Sequence, residues 1–260
     1  MDFRTLLYHV EHRIATLTLN RPEKRNALDD PSIRELTTAF AAAGKDPAVK
    51  LVVLRARGPA FCDGVDADAL KRMQNADLEE HLAYSQRLAL LYRSIYELRK
   101  PVLAVVEGPA RSEGAGLVAA CDIVLADADR ATFGFHEVQV GRIPALPMLF
   151  LLKRMGESRT REMVVRGHTL TAEAALDAGL VNIVAGSRDL ETELATLTAE
   201  LLHGNSGNAM ALCKEMLSRV LGMNLVEALD FAANMNAAAR MTGECRQGLA
   251  AALKNERVEW

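Results

Sequence analysis

Paired cysteines, basic clusters and long apolar runs are all missing from this 260-residue chain. The four cysteines, Cys62, Cys121, Cys213 and Cys245, lie far apart and form no CxxC pair. That pattern supports neither a zinc site nor a disulfide framework, and it fits reduced thiols. Lys and Arg number 31 against 34 Asp and Glu, a formal net charge of −3. Nucleic-acid binding and RNA scaffolding need a positive footprint, so both are disfavoured. No apolar run approaches the roughly 18 residues of a membrane span. The opening Met1-Asp2-Phe3-Arg4 has no signal-peptide character. The expectation is a soluble, cytoplasmic protein with no metal site and no nucleic-acid or membrane partner. Half of the residues are apolar and a quarter charged, an ordinary globular balance.

Periodicity then organises what is present. Leu6 to Val10 and Ile14 to Leu19 read as a hairpin, which Asn20-Arg21-Pro22 ends because proline has no N–H to donate. Asp30-Pro31 starts a helix running to about Ala43. Lys50 to Arg55 reads as a buried strand leading into the glycine-containing loop Gly58 to Asp66, with a helix after it. Glu79 to Leu98 carries apolar residues at helical spacing and stops before Pro101. Ile123 to Leu125 is another short strand, and Phe133 to Val138 reads as a loop. Helices are expected over 146–155, 158–166 and 171–178, with a strand at Val181 to Val184. Four amphipathic helices follow from Leu190, broken near Gly204 and Gly222. Strand–helix alternation followed by helices alone implies an α/β layered core with a helical tail. The expected division is 1–203 and 204–260.

The stretch Val102 to Asp122 is the centre of the chain. An apolar β-branched run stops at Gly108-Pro109, and small apolar residues resume from Ser112 as a helix with no polar face. A strand, a tight turn and a buried helix start aim free backbone N–H groups at whatever occupies the turn. Ser112 is expected as the N-cap. It is not expected as a hydrolase nucleophile, because Ala110-Arg111-Ser112-Glu113-Gly114 lacks the first glycine of a G-x-S-x-G elbow.

Phe61-Cys62-Asp63-Gly64-Val65-Asp66, Gly108 to Gly116 and Phe133-Gly134-Phe135-His136-Glu137 appear in that order with Asn20-Arg21-Pro22, Asn26-Ala27-Leu28, Ala120-Cys121-Asp122-Ile123, Gly141-Arg142-Ile143-Pro144 and the tail Gly248 to Arg257. Together they resemble the enoyl-CoA hydratase/isomerase (crotonase) family over nearly the whole chain. The resemblance implies an α/β crotonase-like spiral of ββα repeats with a C-terminal helical trimerisation region. It also implies an acyl-CoA substrate, a homotrimer or dimer of trimers, and no cofactor beyond the coenzyme A of the substrate. Family members stabilise a thioester enolate with two backbone N–H groups, which by position are those of Val65 and Glu113. Removing one such donor typically costs about 10²–10³ in rate.

Hydratases of the family usually carry two glutamates. One aligns with Glu137, whose pKa an apolar site would raise towards the range useful for proton transfer. The other aligns with Gly116, which has no side chain. Glu113 lies one helical turn earlier on the same face and is the candidate replacement, although helical side chains lean away from the space at 116. The triplet also departs from the family's glycines at Ser112 and Glu113. Lys24, Arg25 and Lys254 match positions that contact CoA phosphates and adenine. Ala27, Leu28, Gly64, Val65, Asp66, Ala67 and Gly114 complete the expected binding segment. The activity implied is enoyl-CoA hydration. A single carboxylate at Glu137 would suit a double-bond isomerase, and the missing glutamate leaves open an acyl-CoA binder with little turnover or thioester hydrolysis. Met73 to Tyr92 and Ile143 to Leu151 are expected to line an apolar acyl pocket, favouring an uncharged chain.

Overall fold

Side chains of the central strands are buried on both faces of one parallel sheet, which explains why those strands read as continuous apolar runs. The structure, a computed structural model, describes residues 2–260, so residue 1 lies outside it. Strands β1 (Leu6–Glu11) and β2 (Ile14–Leu19) form the expected antiparallel hairpin. Strand β3 (Leu51–Ala56) joins β2 in parallel, and β4 (Val102–Val106), β6 (Ile123–Asp127) and β9 (Ile183–Ala185) extend the sheet, giving the order β1-β2-β3-β4-β6-β9.

Alternate residues of these strands face different layers. Leu54, Ala104, Val106 and Val124 pack beneath helices α1 (Asp30–Lys45), α3 (Leu78–Tyr96), α4 (Glu113–Ala120) and α5 (Ala145–Arg166). Leu51, Val53, Leu103, Val105 and Leu125 face Leu190, which opens α7 (Leu190–Ala199), and Leu201 and Leu202. A one-residue slip of any strand would exchange these sets, so register and layer are fixed together.

A second sheet is made of β5 (Ala110–Arg111), β7 (Thr132–Gly134) and β8 (Thr169–Thr171), in the order β5-β7-β8. Each spiral turn runs from the large sheet through the small one into a helix: β4, β5, α4, and likewise β6, β7, α5. Cys62 makes an isolated bridge to Ala110, so the loop after β3 enters the small sheet too before α2 (Ala67–Met73). Phe133 and Gly134 were expected as loop and Thr171 as the start of a helix, but they lie in β7 and β8. Three residues show too little alternation to betray a strand, and only the neighbours supply their hydrogen bonds.

Two local expectations need correction. Asp29, not Asp30, caps α1, its side chain accepting from Ser32 N–H. Ser112 stands at the N-cap of α4 but makes no side-chain cap bond; its φ of 50° and ψ of −120° turn the hydroxyl away from that duty. The expected break between helices 146–155 and 158–166 is present: Gly156, at φ 72° and ψ 176°, is non-helical and divides α5 into two helical runs.

After β8, α6 (Ala172–Ala178) leads to β9. A π turn at Glu200–Gly204 and an extended Asn205 then end α7. Helices α8 (Gly207–Val220), α9 (Leu225–Arg240) and α10 (Gly243–Ala252) follow. α8 is fastened to the core by Lys214, whose ammonium donates to the carbonyls of Ile95 and Lys100 and to Asp122. α9 and α10 bury no residue. Among the described residues no helix is long and apolar enough to cross a membrane.

Candidate active site

Two loops at the carboxyl ends of β3 and β4 are stitched together. Cys62 N–H donates to Pro109 O at 3.2 Å, and Arg111 N–H to Cys62 O at 2.9 Å. The approach is close enough to require glycine at two places. A Cβ on Gly114 would lie 2.3 Å from Cys62 O, and one on Gly64, at φ +91°, would lie 2.9 Å from Ser112 Cβ.

The expected backbone donors have identifiable orientations. Leu28 N–H donates to Gly64 O at 2.7 Å, and Asp66 N–H donates to Leu28 O at 2.8 Å. Those bonds use the groups on either side of Val65, and among the described residues the Val65 N–H itself meets no protein acceptor. Glu113 begins α4, so its N–H has no partner within the helix. Its nearest competitor is its own carboxylate, which that N–H helps to hold in the charged form.

Glu113 is 6% exposed and Glu137 3%, and each has an Oε2 with no hydrogen-bond partner among the described residues. Burial pushes the Glu113 carboxyl up; Arg142 and its own N–H pull it down, and the Glu137 charge pushes it up again, leaving it above its ordinary value. Arg142 Nη2 donates to Glu113 Oε1 at 3.2 Å. Glu113 is therefore anchored on one oxygen and free on the other. It lines a cleft of about 850 Å³ bounded by α2, α3 and residues 140–147. Glu137 opens a 3-10 turn behind β7 and does not line that cleft. His136 turns away from both, its Nε2 lying 3.0 Å from Thr169 Oγ1. The Cys62 thiol is pushed up to about 12 by burial and stays protonated at neutral pH.

The space at Gly116 is not vacant. A Cβ there would lie 2.4 Å from Tyr92 Oη, and the Tyr92 hydroxyl donates to Glu113 O at 3.0 Å. The missing carboxylate has thus been replaced by a fully buried phenol that braces the start of α4. Tyr92, expected at the end of the pocket-lining stretch, is instead buried and absent from the cleft wall, and Arg142 was assigned no role from sequence. Arg142 could have been singled out as the cation in the quoted Gly141–Pro144 segment; Tyr92 sits in an ordinary amphipathic pattern that carries no such signal.

The expected coenzyme A residues are only partly assembled. Lys24 pairs with Asp68 at 2.9 Å, and Arg25 Nε with Asp63 at 2.5 Å, both near the loop of residues 62–66. Ala27 and Leu28 are buried beside Gly64 and Val65. Asp66 is committed elsewhere: it caps α2 through Asp68 N–H and pairs with Arg21 Nη2 at 3.1 Å. Ala67 next to it is exposed, and Gly114 is buried against Cys62. Among the described residues, no hydrogen bond or ion pair links Lys254 to Lys24, Arg25 or the acids they pair with. The tail returns to Arg13 and Lys50, at the start of β2 and just before β3, where both reach Trp260 O. Lys24 follows the opposite end of β2, and a six-residue strand spans about 17–20 Å. The acyl wall is also less apolar than expected, because Gln74, His81, Tyr84, Ser85 and Arg142 face the cleft.

The family model for enoyl-CoA hydratase/isomerase matches residues 9–260. A mitochondrial enoyl-CoA hydratase of Pongo abelii is 31% identical, over 95% of this chain and 83% of that one. A trans-2-decenoyl-[acyl-carrier-protein] isomerase of Streptococcus mutans is 31% identical over 100% and 99% of the two chains. The crystal structure of an enoyl-CoA hydratase from Mycobacterium smegmatis superposes with a TM-score of 0.92 at 32% identity and 99% coverage of both chains. A match across nearly the whole length in sequence and in three dimensions places the chain in the enoyl-CoA hydratase/isomerase family.

Proposed function

We propose that this protein is an enoyl-CoA hydratase-like enzyme that holds a thioester oxygen between the N–H groups of Val65 and Glu113. The observation that carries this reading is the pair of buried carboxyls, Glu113 and Glu137, each with a free oxygen, together with the Val65 and Glu113 N–H groups that no backbone bond uses. Charge develops on the thioester oxygen as an enolate forms, so fixed donors stabilise the transition state more than the substrate. A carboxyl whose proton affinity burial raises can give a proton to carbon 2 while its neighbour activates water. Arg142 fixes one oxygen of Glu113, which limits rotation of the group that must hand over the proton.

Lys24, Arg25 and the 64–67 backbone form the proposed coenzyme A contact in this protomer. Leu217, Leu221, Leu225, Leu229 and Leu253 leave large apolar surfaces exposed on or just after α8 to α10, which fits burial in a homotrimer. The glycine at 116 favours a second reading, an isomerase in which Glu137 alone removes and returns the proton.

The deciding experiment incubates the protein with short 2-enoyl- and 3-enoyl-CoAs and resolves products by mass and double-bond position. Water addition that falls about 10²-fold or more in Glu113→Gln is expected. Hydration unchanged in that variant removes Glu113 from the chemistry, and a shifted double bond without added water selects the isomerase. Light scattering at the mass of a single 28.3 kDa chain would refute the trimer.

A further inference from the structure

The cleft beside Glu113 is polar in a particular way. Arg142 uses one N–H on Glu113; among the described residues its other guanidinium donors meet no protein acceptor, and the side chain is 37% exposed. Tyr84 Oη has no partner either, although the atom is shut off from solvent. Tyr84 and Arg142 both line this cleft. Glu113 is the only acidic residue on the cleft wall, and His81 and Gln74 add further donors. Between them, Leu70 and Met73 supply apolar wall.

An uncharged acyl chain filling this space would expel water and leave the remaining Arg142 donors and the Tyr84 phenol without acceptors, which is unfavourable in a dry site. A carboxylate satisfies both, because a guanidinium presents parallel donors that match its two oxygens. We propose that the acyl group this cleft selects carries a second carboxylate, so that the substrate class is the coenzyme A monothioester of a dicarboxylic acid, with Arg142 and Tyr84 as the specificity-determining residues. The proposal rests on the acyl-CoA reading given above and replaces the uncharged chain expected from sequence.

Saturated thioesters test it without turnover. Calorimetry compares glutaryl-CoA with pentanoyl-CoA and adipyl-CoA with hexanoyl-CoA, each pair matched in chain length. At least one diacid thioester is expected to bind about tenfold or more tightly than its partner, the size of one charge-assisted contact. Tyr84→Phe and Arg142→Gln are each expected to bring that ratio towards one. The ratio is read within one protein preparation, so a general loss of affinity does not imitate the result. Equal affinities in the unaltered protein, a preference for the monocarboxylic chains, or a ratio untouched by both substitutions would overturn the proposal while leaving the acyl-CoA reading intact. Failure of all four thioesters to bind would remove both.

Discussion

Replacing Gly116 by alanine separates two opposing effects of known size. In an exposed helix interior, alanine is favoured over glycine by about 1 kcal/mol. Inside α4 an added Cβ would lie 2.4 Å from Tyr92 Oη, 2.8 Å from its Cζ and 2.9 Å from Pro147 Cγ. None of these atoms yields easily. Tyr92 is 1% exposed, its ring stands edge-on to Phe150 at 5.6 Å, and its hydroxyl is bonded to Glu113 O. Overpacking of this kind costs about 1–3 kcal/mol, and displacing the buried hydroxyl adds about 1 kcal/mol. The clash therefore outweighs the propensity gain, and Gly116→Ala is expected to lose about 1–3 kcal/mol net. Urea denaturation reads this as a lower midpoint at unchanged slope. Combining the change with Tyr92→Leu, which empties the space, should cost less than the sum of the single changes. The same packing means that Gly116→Glu gains no hydration activity unless residue 92 is shortened as well. An alanine at 116 that stabilised the protein would refute the account of what fills that space.

Three further outcomes follow from the site and its surroundings. Ser112 holds φ 50° and ψ −120° with no side-chain cap bond, a conformation costing about 1–3 kcal/mol for a non-glycine residue. Ser112→Gly, after the entropy that glycine adds to the unfolded chain, should stabilise by about 1 kcal/mol in the same urea assay, and a loss would show the strain to be compensated. The folded-state pKa of Glu113 is raised, so the stability it contributes is complete below the ordinary value of 4.5 and disappears as pH rises through the raised one. Glu113→Gln should therefore gain on the unaltered protein as pH increases from acid to neutral, and a pH-independent difference would contradict this. Asp127 has the opposite sign: Arg130, Ser187 and two backbone N–H groups pull its fully buried carboxyl from 3.8 to about 2 despite the opposing effect of burial. That shift corresponds to about 2 kcal/mol, present above pH 3.8 and lost as pH falls towards 2. Asp127→Asn should cost that much at neutral pH and progressively less in acid; an equal loss at both would assign the effect to packing instead.

The backbone of this protein was largely legible in its residues. Val102 to Val106 and Leu51 to Leu54 announce buried strands because both of their faces are covered, and Gly64, Gly114 and Pro109 mark the turns where two loops meet. The order of those turns carried the family, and with it the expectation of one carboxylate at Glu137 and of backbone donors at Val65 and Glu113. What lay beyond reach was anything set by contacts distant along the chain. The three-residue strands at 132–134 and 169–171 exist only because they pair with each other and, for 132–134, with β5. Tyr92 occupies the space above Gly116, 24 positions on, for reasons no local pattern records. Sequence placed a carboxyl at 113 and a cation at 142, since those depend on residue identity alone. That Arg142 holds one oxygen of Glu113 and keeps its remaining donors for the cleft was decided by the tertiary structure, because electrostatic partnership depends on distance and burial, and both arise only when separate elements pack together.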